Sequence, residues 1–117
     1  MFLELFNHKK PILAMLHLKG DTPEDRLTRA LTEADIYARC GVDAMIVEDY
    51  FGDVADVEQA LDLLSKERPD YMLGVNVLDD FPKSYQLARE FDLKFMQVDS
   101  IAGHLPPKVE VDYLSMV

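Results

Sequence analysis

Several functional classes are excluded by what the chain lacks. It holds one cysteine in 117 residues, Cys40, so no internal disulfide forms and no zinc-type ligand spacing exists. Cys40 precedes Gly41 at a predicted helix end and reads as a small buried apolar residue. Glycine is scarce, with five residues, and none builds the glycine-rich turn after a strand that a dinucleotide or Walker-type phosphate loop requires. No apolar run is long enough to span a bilayer. The opening MFLELFNHKKPILAMLHL is not a secretory signal: its apolar stretch contains Pro11 and His17, and no small-residue cleavage site follows. Basic residues are outnumbered, 12 Lys and Arg against 22 Asp and Glu, for a formal net charge of -10. Such a chain repels a phosphate backbone and has no basic stripe, so nucleic acid is not an expected partner. The acids are spread along the chain, as on solvated helix faces, which leaves a minority for a site. The expected location is cytoplasmic.

What is present fits one globular domain: 49% hydrophobic and 29% charged residues are enough for a core and a wet surface. Four apolar runs stand out: Ile12 to Leu18, Val42 to Val47, Tyr71 to Leu78 and Leu93 to Val98. The first three are nearly continuous, as in strands buried on both faces of a parallel sheet, and the fourth is mixed. Their spacing, roughly 20 to 30 residues, leaves room for one crossover helix each time.

The intervening segments carry helix signals. Thr22-Pro23-Glu24-Asp25 supplies a hydroxyl cap, a proline at the first helical position and acids in the first turn. Leu27, Leu31, Ala34 and Ala38 make one apolar stripe, Ile36 falls off it, and Gly41 suits a left-handed stop. A second helix is expected from Asp56, with Gln59 as its capping-box partner, Val57, Ala60, Leu61 and Leu64 facing inward, and Pro69 ending it. A third is expected from about Asp80 to Asp92, with Pro82 in its first turn and Tyr85, Ala88 and Phe91 buried. The order β-α-β-α-β-α-β with right-handed crossovers is either half of a barrel or a doubly wound sheet. The missing glycine-rich turn favours the barrel, an α/β parallel half-barrel comprising the first four strands of a (β/α)₈ barrel.

After the fourth run come Ser100 to His104, Pro106-Pro107, and a stretch from Val109 to Val117 that resembles the opening of a further helix. A complete barrel needs about 250 residues. Residues 1–117 are therefore expected to form a single domain, the N-terminal half of a barrel, either a fragment or a half that closes by forming a homo-oligomer.

KPILAMLHLKG, ARCGVDAMIVEDYFGD and LGVNVL at successive strands resemble the N-terminal half of the BtpA/SgcQ family, over nearly the whole chain up to about Asp99. The combination of HL, VE and GVNVL at successive strand ends carries the likeness. The resemblance implies a ribulose-phosphate-binding type of barrel whose activity is poorly defined: some members are linked to photosystem I biogenesis, and others are labelled as sugar-phosphate- or nucleoside-related. The chain departs from the pattern at three places. Asp49 stands where the family has Asn, Asp79-Asp80 replace an RND segment, and MQVDS replaces R-V-N-V. Acids or Gln thus stand where an Arg and two Asn are usual; if the family's ligand is anionic, these changes weaken the case that this chain binds the same one.

In such barrels the active site lies at the C-terminal ends of the strands. Those ends present His17 and Lys19, Glu48 and Asp49, Asn76, and Asp99. His17 is either a general acid or base, its reference pKa lying near neutrality, or a core histidine bonded to a carbonyl. Glu48 follows three apolar residues, so burial is expected to raise its pKa; otherwise Lys19 or a loop N–H satisfies it. Asn76 lies inside an apolar run, where an unpaired amide costs about 1–3 kcal/mol, so a strand-end neighbour or a ligand must satisfy it. Asp99 suits a loop cap. Glu48, Asp49 and Asp99 together offer oxygen ligands to Mg²⁺, but without a fixed spacing no metal or other cofactor is assigned. His8 precedes the first strand, away from the rim, and His104 falls in a loop.

Two function classes follow. One is an enzyme acting on a small sugar-phosphate- or nucleoside-like molecule, with His17, Glu48 and Asn76 as catalytic residues and Lys19, Asp49 and Asp99 binding the substrate. The other is a non-catalytic assembly or stability factor. The usual phosphate cradle follows strands seven and eight, so the 117 residues alone are not expected to turn over.

Overall fold

A computed structural model describes residues 2–7 and 10–99. His8, His104 and the expected helix after Val109 lie outside these. The core is a four-stranded, all-parallel sheet in the order β1-β2-β3-β4, alternating with three helices. The strands are β1 (Leu13–Leu16), β2 (Ala44–Glu48), β3 (Leu73–Asn76) and β4 (Phe95–Met96). The helices are α1 (Pro23–Arg39), α2 (Val54–Glu67) and α3 (Phe81–Glu90), and a 3₁₀ turn, Phe2–Leu5, precedes β1. Sequential strand order with every pairing parallel is the arrangement of half a β/α barrel. No helix among the described residues is long and apolar enough to cross a membrane.

The alternation of side chains along each strand sorts the sheet into two layers. Leu16, Met45, Val47, Leu73 and Val75 pack with Ala30 and Ala34 of α1, Val57, Ala60, Leu61 and Leu64 of α2, and Leu87 of α3 in one buried cluster. Register places Met15, Ile46, Gly74 and Phe95 in a row on the opposite face. There Phe95 lies over Gly74, where a Cβ would come within 2.4 Å of its ring. Phe2 meets Phe95 edge-on at 5.3 Å, so the 3₁₀ turn covers this corner. The close approach explains why a glycine sits in the middle of a buried strand.

Helix α1 follows its signals. Thr22 Oγ1 accepts from Asp25 N at 3.1 Å, Pro23 opens the helix, and Gly41 follows its end at φ +83°. Ala34 is fully buried, Leu27, Leu31 and Ala38 pack against the cluster, and Ile36 is exposed.

Three expectations need correction. Helix α2 is capped by Asp53, not Asp56: Asp53 Oδ1 accepts from Asp56 N, and Asp56 Oδ2 from Asp53 N, a reciprocal capping box without Gln59. In α3, Tyr85 is exposed and Ser84 and Leu87 are buried instead. Ser84 holds the inner position because its hydroxyl accepts from Val77 N at 2.7 Å, ending β3. Cys40 is exposed: it caps the C-terminus of α1, beyond the last residue of the buried stripe.

Candidate functional site

The parallel register turns one polar residue from each strand end onto the face opposite the helices. Glu48 and Asn76 are paired residues of β2 and β3. His17 lies one residue beyond β1, and Gln97 one beyond β4, so the four form one row across the sheet.

Contacts bear the row out. His17 Nε2 lies 3.4 Å from Glu48 Oε1. Asn76 Nδ2 donates to Glu48 Oε2 at 3.1 Å and to Asp99 Oδ1 at 2.9 Å, with Gln97 Oε1 at 3.3 Å. Glu48 and Asn76 are buried, while the His17 side chain is 42% exposed. His17 is therefore not a core histidine; it stands at the open edge of a buried carboxylate. Burial pushes the Glu48 carboxyl above its ordinary value of 4.5, opposed by His17 and the Asn76 hydrogen bond and assisted by the nearby Asp99 and Asp49 charges. The Asn76 amide is satisfied by strand-end neighbours, and Glu48 by His17 and Asn76 rather than by Lys19.

The structure brings together His17, Glu48, Asn76 and Asp99, and sets the other two candidates to the side. Asp49, one residue past Glu48, turns to the opposite side and accepts from Leu78 N at 2.8 Å, tying the loop after β2 to that after β3. Lys19 places its Nζ 5.2 Å over the Phe51 ring. Among the described residues no group of three or more His, Cys, Asp or Glu side chains is placed to hold a metal ion.

Two aromatic residues outside the predicted strand-end set complete the rim. Tyr50 and Phe51, in the loop after β2, are 60% and 52% exposed. Their rings meet edge-on at 4.7 Å, and His17 lies 5.1 Å from Tyr50 and 6.1 Å from Phe51. Phe51 N donates to His17 O at 3.0 Å, which ties the two loops together. Adjacent aromatics immediately after a strand-end Glu-Asp pair were the available signal. Behind the wall, Arg26 Nε lies 2.9 Å from Asp56 Oδ2 as an ion pair rather than an aligned hydrogen bond, and Arg26 also donates to Gly20 O at 2.9 Å. Burial raises the Asp56 pKa, but the Asp53 N–H and Arg26 outweigh it, and the carboxyl lies below its ordinary value. This pair, Asp56 buried and Arg26 half-buried, ties the start of α1 and the loop before it to the start of α2.

Among the described residues, two of the three non-glycine residues with positive φ stand at this end; the third, Asp92 at φ +53°, precedes β4 at the other. Leu18, directly after His17, has φ +60° although its side chain is almost wholly buried, and Asp79, after β3, has φ +59°. A left-handed leucine persists only where packing over-determines it. No family model, curated protein or solved structure matches the chain.

Proposed function

We propose that the strand-end row is the acid–base part of an active site in a β/α barrel related to the BtpA/SgcQ family, acting on a small sugar-phosphate- or nucleoside-like molecule. The observation that carries this reading is the half-exposed His17 imidazole against the buried Glu48 carboxylate. Glu48 holds one ring nitrogen, Nε2, and leaves Nδ1 to take a proton from a ligand or return it. Asn76 orients Glu48 through the 3.1 Å hydrogen bond. Strain at Leu18, next to His17, supports a functional rather than a packing role for this corner. The HL, VE and GVNVL motifs support the family assignment.

The test is a titration of the Glu48 carboxyl carbon by NMR, in the wild-type chain and in His17→Gln. The expected midpoint lies above 4.5 and rises further without His17, whose charge opposes the shift. A midpoint at or below the ordinary value, or one indifferent to His17→Gln, overturns the reading. So does turnover of any sugar phosphate or nucleoside that survives Glu48→Gln.

A further inference from the structure

We infer that the rim takes an unphosphorylated, donor-rich ring, such as an amino-substituted nitrogen heterocycle, laid against Tyr50. This rests on the acid–base reading above and narrows its substrate class.

Three observations support the choice. The first is the balance of donors and acceptors on the floor. Glu48 Oε2, Asp99 Oδ1 and Gln97 Oε1 all approach one nitrogen, Asn76 Nδ2, within 3.3 Å. An amide nitrogen carries two hydrogens, so three acceptors cannot all be satisfied at once. A ligand that brings N–H or O–H groups relieves this surplus, and a phosphate, whose ionised oxygens only accept, adds to it.

The second is charge. Glu48, Asp49, Asp79, Asp80 and Asp99 stand at the ends of β2, β3 and β4. The cations beside the wall are engaged: Lys19 lies over Phe51, Arg26 is paired with Asp56, and Arg29 with Glu33 at 3.3 Å. Lys19 and Arg29 also share a cleft of about 440 Å³ with Asp21 and Asp25, so their field is offset where they face solvent. An anion meets repulsion here; a neutral or cationic group does not.

The third is the aromatic wall. Tyr50 and Phe51 keep more than half of their surface exposed beside the His17–Glu48 pair. A flat ring seated on Tyr50 covers apolar surface and brings its edge to the acceptors below. Wall and floor together select a ring with donors on its edge.

The experiment is NMR titration of the full chain with adenosine, adenosine 5′-monophosphate, ribose 5-phosphate and inorganic phosphate. Adenosine is expected to move the Tyr50 and His17 ring resonances and to bind several-fold more tightly than its monophosphate. Neither ribose 5-phosphate nor inorganic phosphate is expected to move them. Tyr50→Ala is expected to weaken adenosine binding about tenfold and Tyr50→Phe to preserve it. Because Tyr50 is exposed, both variants are expected to fold, which circular dichroism checks. The inference is overturned if the monophosphate binds as tightly as adenosine, if ribose 5-phosphate or phosphate perturbs the rings, if Tyr50→Ala binds normally, or if adenosine leaves the resonances unmoved. None of these results touches the Glu48 titration, so failure of the ligand class and failure of the acid–base reading are distinguishable.

Discussion

The two ends of the sheet hold carboxylates in opposite ways. At the end where the strands begin, Asp35 of α1 accepts from Arg68 through two hydrogen bonds of 2.9 and 3.0 Å and from Tyr71 Oη at 2.7 Å. These bonds hold its carboxyl at about 2, below the ordinary 3.8. The network ties the end of α1 to the end of α2 and the start of β3, and both oxygens have donors. At the end where the strands finish, Glu48 is buried with a half-exposed histidine and a shared amide for company, and its carboxyl is pushed up. A carboxylate stabilised in its charged form stands at one end, and one whose charged form is disfavoured by burial stands at the other.

Substitutions can break this comparison, the largest effect coming from the pair behind the rim. Asp56→Ala removes the capping box and leaves Arg26, whose side chain is 20% exposed, without its counter-ion, so a loss of about 2–3 kcal/mol is expected in denaturant unfolding. A loss below about 1 kcal/mol, the ordinary worth of a surface pair, would show that the rim loops do not depend on this pair.

Asp35→Asn tests the base, and its signature is a pH dependence. A carboxyl depressed in the folded state contributes stability that is full above 3.8 and is lost as pH falls through about 2. The variant is expected to be less stable than the wild type at neutral pH, with the gap closing over that acid window. Parallel stability curves from pH 7 to 2 would show that the network does not hold the charge.

Glu48→Gln tests the rim and carries the opposite sign. A carboxyl raised in the folded state contributes stability that is full below 4.5 and is lost as pH rises through its folded value. Gln does not ionise, so the variant is expected to gain about 1 kcal/mol at neutral pH and to match the wild type in acid. A loss at neutral pH, measured by thermal unfolding, would make Glu48 a structural carboxylate like Asp35.

The strands and the convergence of the rim were legible because parallel strands buried on both faces leave unbroken apolar runs. Near-continuous runs marked the buried strands, and a polar residue closing each run marked the mouth. Helix phase was harder to read wherever a polar side chain occupies an inner position. Ser84 faces the core by satisfying Val77 N, so an apolar count shifts the inner face by one residue onto Tyr85. The start of α2 was missed for a related reason: Asp53 and Asp56 cap each other, and an aspartate as the returning partner is a less familiar signal than Gln or Glu. Gln97 and the Tyr50-Phe51 wall depend on the register of a two-residue strand and on a loop conformation, and neither carries a periodic signature.

The row His17–Glu48–Asn76–Gln97 has a consequence for how such a chain can vary. Each member owes its direction to its place in the pleat, so deleting one residue inside a strand would swap it with the aliphatic neighbour now turned towards the helices. Lengthening a loop leaves that parity intact. Insertions are thus tolerated where the chain turns and forbidden where it runs straight, and new chemistry at this mouth must arrive by exchange of side chains or growth of turns, with the frame of each strand held constant.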